Sequence, residues 1–134
     1  MRQTNKGRES QRGLAAVEMA MLLPIFLLLL LGVMDMARLF WTQSVVRDAA
    51  FEGARTAVLN EATLDQVKAV VVKELIAGGV TQESSVDVGP REPSEPVDVT
   101  VAVPFEFLVI DNLVPSLGDR CSQVAATAVM THER

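Results

Sequence analysis

The apolar residues of the chain are concentrated in one long run near the beginning of the sequence. Residues 19–34 contain no charged and no classical polar side chain. Counted from Leu14, the run would rise ~31 Å as a helix, which matches a hydrocarbon layer ~30 Å thick. Glu18 does not prevent insertion, because a charge at the edge of a span costs less than a charge at its centre. We therefore expect residues 14–34 to cross a membrane once.

The helical pattern continues through residues 35–59, which contain no proline. One face of this stem narrows to the small residues Ala49, Ala50, Gly53, Ala54 and Ala57. Such a stripe permits close approach of another backbone, either from the same chain or from a neighbouring stem. We predict the intrachain role, because the apolar face of a small sheet needs a cover. The pairs Asp35–Arg38 and Glu52–Arg55 are expected on the exposed side, where each contributes only tenths of a kcal/mol.

A second helix and three strands are predicted for the rest of the chain. Thr63 and Gln66 have the spacing of a capping box, and Gly78 is a typical helix end. The apolar face of this helix would consist of Leu64, Val67, Val71 and Leu75. The period then changes to two, as in strands, in residues 84–90, 97–103 and 121–131. The predicted fold class is α+β, with a long N-terminal helix, a second helix and a small three-stranded antiparallel sheet packed on the stem.

The charge distribution indicates the topology. Residues 1–13 carry four basic side chains and one acidic side chain, and such a basic flank stays in the cytoplasm. The part beyond the apolar run is acidic, which argues against nucleic acid as a partner. The predicted order is a cytoplasmic leader (1–13), a transmembrane helix (14–34), a stem continuation (35–59) and an exported α+β domain (60–134). The chain would be a single-pass protein of the cytoplasmic (inner) membrane.

The start of the apolar run contains the pattern G-x-x-x-x-E, from Gly13 to Glu18. At the junction of a basic leader and an apolar helix, it resembles the cleavage site of type IV prepilins and pseudopilins, where a membrane-embedded peptidase cuts after the glycine. With Pro24 and the sequence AAFEGAR at 49–55, the chain resembles the TadE-like pseudopilins of tight-adherence (Flp-type) pilus systems. Met19 departs from the Phe or Tyr that this family usually has after the glutamate.

The resemblance implies a type IV pilin-like fold and a minor pseudopilin that acts in pilus assembly and adhesion. It implies cleavage between Gly13 and Leu14, with Glu18 and Met19 used in recognition by the peptidase or in assembly. The implied partners are prepilin peptidase, other pilins or pseudopilins, the pilus assembly platform and the membrane. Entry into the filament and retention at its base both remain open.

Glu18 has a physical role that does not depend on the resemblance. Cleavage would leave a protonated α-amine on Leu14, four residues before Glu18, so both charges could meet on one helix face. The amine of a neighbouring subunit is an alternative partner, and a boundary glutamate without a partner is another. Pro24 leaves the Ala20 carbonyl without its helical donor, either as a tolerated kink or as a site that unwinds on assembly.

No group of residues in the sequence indicates catalysis or a cofactor. His132 is the sole histidine and has no companions for a metal site or a triad. Asp111, Asn112 and Asp119 do not have EF-hand spacing, and turn chemistry explains them. Cys121 is the only cysteine, so no intrachain disulfide is possible, and we expect its thiol to be buried. We predict no enzyme activity, no metal and no cofactor.

A function of another class is also open. The chain could be an unprocessed single-pass envelope protein whose exported domain binds a ligand or another protein. The stripe of small residues favours the pseudopilin, because a simple tether has no need of a close-packing face. Trp41 would act either as a membrane-interface anchor or as a packing residue.

Overall fold

The computed structural model describes residues 6–59, 62–90, 95–113 and 122–131, with backbone only for residues 6–13 and 113. The chain divides into two compact units, Met1–Met34 and Asp35–Arg134. Helix α1 comprises Lys6–Ala57 and contributes to both units. It begins within the predicted leader and ends two residues before the predicted end of the stem.

The first unit contains the apolar part of α1. From Leu14 onward, this helix is long and apolar enough to cross a membrane, and none of its most apolar window is buried. The residues from Leu14 to Met34 are exposed, apart from Gly32, which is half-buried. A helix of this composition in the core of a soluble protein would be mostly buried. Pro24 lies inside the helix.

The second helix, α2, comprises Leu64–Ala77 and confirms both predicted ends. Thr63 Oγ1 accepts from the Gln66 N–H at 3.3 Å, and the Thr63 N–H donates to Gln66 Oε1 at 2.9 Å, as in a capping box. After the C-cap Gly78, Gly79 has φ +81°, a conformation that glycine adopts without steric cost.

The predicted apolar face of α2 is correct at three of its four positions. Val67, Val71 and Leu75 are buried. Leu64 is 50% exposed, so its assignment to the core is wrong. Leu64 has the angular position of the buried face, but it is the first residue of the helix and lies at the edge of the core.

Three antiparallel strands form one sheet in the order β1-β2-β3. The strands are β1 (Ser85–Val88), β2 (Val97–Pro104) and β3 (Gln123–Met130), with a short helix α3 (Ile110–Leu113) between β2 and β3. Val86 pairs with Val101, and Thr100 pairs with Thr127 across the other side of β2. The predicted α+β fold class is confirmed, although β1 and β3 are shorter than the alternating sequence patterns.

The core lies between the two helices and one face of the sheet. Alternate residues of β2 are buried, and these are Val97, Val99, Val101 and Val103. The three layers come close together at Gly53 of α1. A Cβ atom at this glycine would lie 2.6 Å from Val71 Cγ2 of α2 and 3.3 Å from Val99 Cγ1 of β2.

Candidate functional site

The predicted processing site lies in the first unit, on α1. The backbone of Gly13 is helical, and the side chains of Leu14, Glu18 and Met19 are exposed. A protease that requires an extended substrate backbone would have to unwind this turn of the helix. Gly13 makes such unwinding easier, since glycine disfavours a helix by roughly 0.5–1 kcal/mol relative to alanine.

Leu14 and Glu18 lie one helical turn apart, roughly 6 Å along the axis. In the uncleaved chain the nitrogen of Leu14 belongs to a peptide bond and carries no charge. The spacing therefore gives Glu18 a cationic partner from its own chain only after the bond to Gly13 has been broken.

The stripe of small residues lies in the second unit, where the sequence placed it on the stem. Ala49, Ala50, Gly53, Ala54 and Ala57 are all buried in the core. The side chains that approach the Gly53 position belong to α2 and β2 of the same chain. The stripe therefore serves the packing of the domain on its own stem. The stripe thus no longer favours a pseudopilin over an unprocessed membrane-anchored protein. In either protein, the domain formed by α2 and the sheet would need to pack on the stem.

Asp35 is the residue whose role the sequence interpretation missed. We expected it on the exposed side of the stem, but it is fully buried, so that expectation is wrong. Its Oδ1 accepts the N–H of Leu108 at 3.0 Å, and its Oδ2 accepts the N–H groups of Val109 at 2.9 Å and Ile110 at 3.3 Å. The carboxylate thus holds three successive backbone donors at the start of α3.

The charge of Asp35 is stabilised in this position. Burial raises the pKa of the Asp35 carboxyl, but the three backbone N–H donors and the Arg38 guanidinium lower that pKa by more, so the net shift is downward. Arg38 Nη1 lies 3.5 Å from Asp35 Oδ1, and the guanidinium lies 5.6 Å from the centre of the Phe105 ring. The predicted Asp35–Arg38 pair therefore exists, but its carboxylate is buried while the Arg38 side chain is partly exposed. The Glu52–Arg55 pair, at 3.9 Å, is more exposed, as expected.

One sequence feature could have identified Asp35. It directly follows the apolar run of residues 19–34 and stands at the edge of the predicted bilayer. A carboxylate there needs compensating donors, because removal from water is costly. The sequence of the loop at 108–110 gives no such indication, since its donors are backbone groups that every residue except proline carries.

The other predicted residues have structural roles or lie outside the described part. Trp41 Nε1 donates to the Gly78 carbonyl at 3.0 Å, although the Trp41 side chain is largely exposed. Asp111 Oδ2 accepts the Phe107 N–H at 3.0 Å, which is turn chemistry. Of the residues considered in the sequence analysis, Asp119, Cys121 and His132 lie outside the described ranges. Within those ranges, no group of three His, Cys, Asp or Glu residues is placed to hold a metal ion.

A comparison with protein families identifies the N-terminal part of the chain. Residues 13–55 match the family model described as TadE-like protein. This segment is therefore similar to TadE-like proteins. The TadE-like match begins at Gly13 and ends at Arg55, so it includes the predicted processing site, the apolar part of α1 and most of the stripe. It confirms the resemblance inferred from the sequence.

TadE-like proteins are associated with tight-adherence (Flp-type) pili and with a membrane, and this association is what the match implies for the chain. The long, exposed apolar helix agrees with a membrane anchor. The TadE-like match does not extend to α2 or the sheet. No curated protein and no solved structure matches the chain significantly.

Proposed function

We propose that the chain is a minor pseudopilin of a tight-adherence pilus, anchored in the inner membrane and cut by prepilin peptidase between Gly13 and Leu14. One observation supports this most strongly. The G-x-x-x-x-E pattern from Gly13 to Glu18 coincides with the start of both the TadE-like match and the exposed apolar part of α1. A basic leader precedes it, so the glycine lies at the cytoplasmic edge of the predicted span.

The proposed mechanism is not catalytic. The exposed side chains of residues 14–34 hold the subunit in lipid, and during assembly they exchange lipid contacts for contacts with neighbouring stems. The domain built from α2 and the sheet remains outside the cytoplasm and contributes to assembly and adhesion. Its own stem stripe is already covered, which leaves the more N-terminal part of α1 for contacts between subunits.

Glu18 is proposed to guide assembly through its charge. Cleavage creates a protonated amine on Leu14, and the carboxylate of Glu18 compensates that amine within the subunit or in a neighbouring subunit. Either pairing offsets the cost of placing both charges in a medium of low dielectric constant. Before cleavage this partner does not exist, so the leader also delays the pairing.

The test is the intact mass of the chain extracted from membranes. Cleavage after Gly13 removes residues 1–13 and leaves Leu14 as the N-terminus. Gly13→Leu should leave the full-length chain in the membrane, because a bulky side chain next to the scissile bond obstructs the protease cleft. Gly7→Leu is the matched control, since Gly7 is a second glycine of the leader and should not affect cleavage. Maturation of Gly13→Leu to an N-terminal Leu14 would show that the site is misassigned.

The alternative is an unprocessed anchor with an exported binding domain. The intrachain use of the stripe keeps this alternative open, because the stem packing fits both proteins. A full-length mass in cells that carry an active prepilin peptidase would favour the tether over the pseudopilin.

A further inference from the structure

Four large apolar side chains of the second unit are exposed close to the end of the apolar run. They are Met36, Phe40, Trp41 and Leu108. Three of them lie within seven residues after Met34 on α1, whereas Leu108 comes from the loop between β2 and α3. Leu108 is 57% exposed and Trp41 is 64% exposed, so neither side chain is used in the core.

One hydrogen bond joins the backbone of Leu108 to the residue that follows the predicted span in the sequence. Asp35 is joined by a peptide bond to Met34, the last residue of the span. The Leu108 nitrogen lies 3.0 Å from Asp35 Oδ1. The backbone of Leu108 therefore lies beside the first residue after the predicted span. Trp41 follows Asp35 by six residues, a rise of ~9 Å along the helix, so its ring reaches a headgroup layer of roughly 5–8 Å when the helix is tilted or the ring points back toward the bilayer.

The loop is chemically suited to that position. Backbone N–H groups that face lipid without an acceptor cost several kcal/mol each. Here Asp35 accepts the N–H groups of Leu108, Val109 and Ile110. Arg38 balances the carboxylate, and its side chain remains 39% exposed, which leaves the guanidinium within reach of headgroups. The loop can therefore approach low-dielectric surroundings without unpaired donors at these three positions.

We propose that Met36, Phe40, Trp41 and Leu108 form a lipid-contacting surface. Its partner is the interfacial region of the bilayer that surrounds the predicted span. Met36, Phe40 and Trp41 follow the predicted span in the sequence, and Asp35 is the residue that brings Leu108 close to them. Glu106 is exposed in the same loop, so the surface is not basic and requires no anionic lipid. The inference rests on the membrane span and not on the proposed cleavage.

Nitroxide labels on the full chain in phosphatidylcholine vesicles test this surface. In a Cys121→Ala background, single labels are placed by Leu108→Cys and by Val129→Cys, and their collision rates with oxygen and with a water-soluble nickel complex are compared. Val129 is the matched control, because it is apolar, lies on β3 and is 60% exposed. We expect the ratio of oxygen to nickel accessibility to be higher at 108 than at 129. Equal ratios at the two positions would overturn the proposal.

A third label, at Leu28→Cys within the span, separates two kinds of failure. A lipid-exposed label at 28 with an aqueous label at 108 overturns the surface and leaves the span intact. An aqueous label at 28 overturns the span and the surface together. Cleavage after Gly13 changes neither comparison, so failure of the proposed processing is recognised separately by mass.

The unsubstituted chain offers an independent measurement, because Trp41 is its only tryptophan. Bromine atoms near the carbonyl end of the acyl chains should quench Trp41 fluorescence more than bromine atoms near the terminal methyl group. Absence of quenching by any brominated lipid would place Trp41 in water and overturn its part in the surface.

Discussion

The carboxylate of Asp35 accepts a hydrogen bond from the backbone N–H of Leu108, at 3.0 Å and across 73 positions of the sequence. Together with the bonds from Val109 and Ile110, it fastens the loop after β2 to the stem. A second attachment lies further along the stem, where Gly53 admits Val71 and Val99. The domain formed by α2 and the sheet is thus held on α1 by a polar contact at Asp35 and by an apolar contact at Gly53.

Asp35→Ala should lower the free energy of unfolding of the domain by about 2–4 kcal/mol, because hydrogen bonds to a charged acceptor contribute about 1.5–3 kcal/mol and their loss leaves donors unpaired. The measurement is denaturant unfolding of the full chain in detergent micelles, followed by the fluorescence of Trp41. This residue reports on the domain because its indole bonds to Gly78.

Glu52→Ala is the control for Asp35→Ala. Glu52 also pairs with an arginine three residues later, but at 3.9 Å and with more exposed side chains. Its removal should change the free energy of unfolding by no more than about 0.5 kcal/mol. Equal effects of the two substitutions would show that Asp35 acts only as a member of a surface ion pair.

The stability of the domain should depend on pH through Asp35 in one direction only. The pKa of Asp35 is lower in the folded protein than in the unfolded chain, so the unfolded state binds more protons in acid. The stabilisation is fully present above the unfolded pKa, about 3.9, and is lost as the pH falls through the folded value. Melting temperatures measured at descending pH should fall less steeply below about pH 4 in Asp35→Asn than in the parent chain. Parallel curves would contradict this assignment.

The sequence predicted the parts of the fold that depend on local pattern. The capping box at Thr63, the helix end at Gly78 and the alternation in β2 each depend on residues close together in the chain, and each was found. The burial of Asp35 depends on backbone groups 73 to 75 positions away, which no local pattern encodes. Its i,i+3 spacing to Arg38 instead favoured an exposed ion pair.

The candidate sites were predictable to different degrees. The predicted processing site is a short linear pattern at a change of composition, so Gly13 and Glu18 were assigned from the sequence alone, and their roles stay predictions. The stripe around Gly53 was visible as small residues at helical spacing. Close approach alone suits a sheet of the same chain and a neighbouring stem, and the intrachain role was predicted because the sheet needs a cover. The positions of Val71 and Val99 agree with that prediction.

Gly53→Ala should destabilise the domain. The new methyl group would lie 2.6 Å from Val71 Cγ2, and overpacking of this kind costs about 1–3 kcal/mol. Val71→Ala removes the clashing methyl groups, so the double variant should lose less stability than the sum of the two single variants. Unfolding in micelles measures all three free energies.

Gly32→Ala is the control for Gly53→Ala, because a Cβ atom at Gly32 would meet nothing within 4 Å. It should leave the unfolding transition of the domain unchanged. If Gly53→Ala also left the transition unchanged while pilus formation was lost, the stripe would be a contact between subunits and not a packing face.

Glu18→Gln should permit cleavage after Gly13 and insertion into the membrane, yet greatly reduce the number of pili. Glutamine keeps the approximate shape and hydrogen-bonding capacity of glutamate, but it cannot balance the charge of the new amine on Leu14. The amine would then stay uncompensated in a medium of low dielectric constant, at a cost of several kcal/mol. Mass spectrometry checks cleavage, and electron microscopy counts the pili.

Glu9→Gln provides the matched control, because Glu9 lies in the leader that cleavage removes. It should leave both cleavage and pilus number unchanged. If Glu18→Gln formed pili in normal number, the charge would not be what this position supplies, and the role of Glu18 would have to lie in its shape or in recognition by the peptidase. If Glu18→Gln blocked cleavage itself, the residue would act before assembly, and the pairing with the amine would no longer be needed to explain the loss of pili.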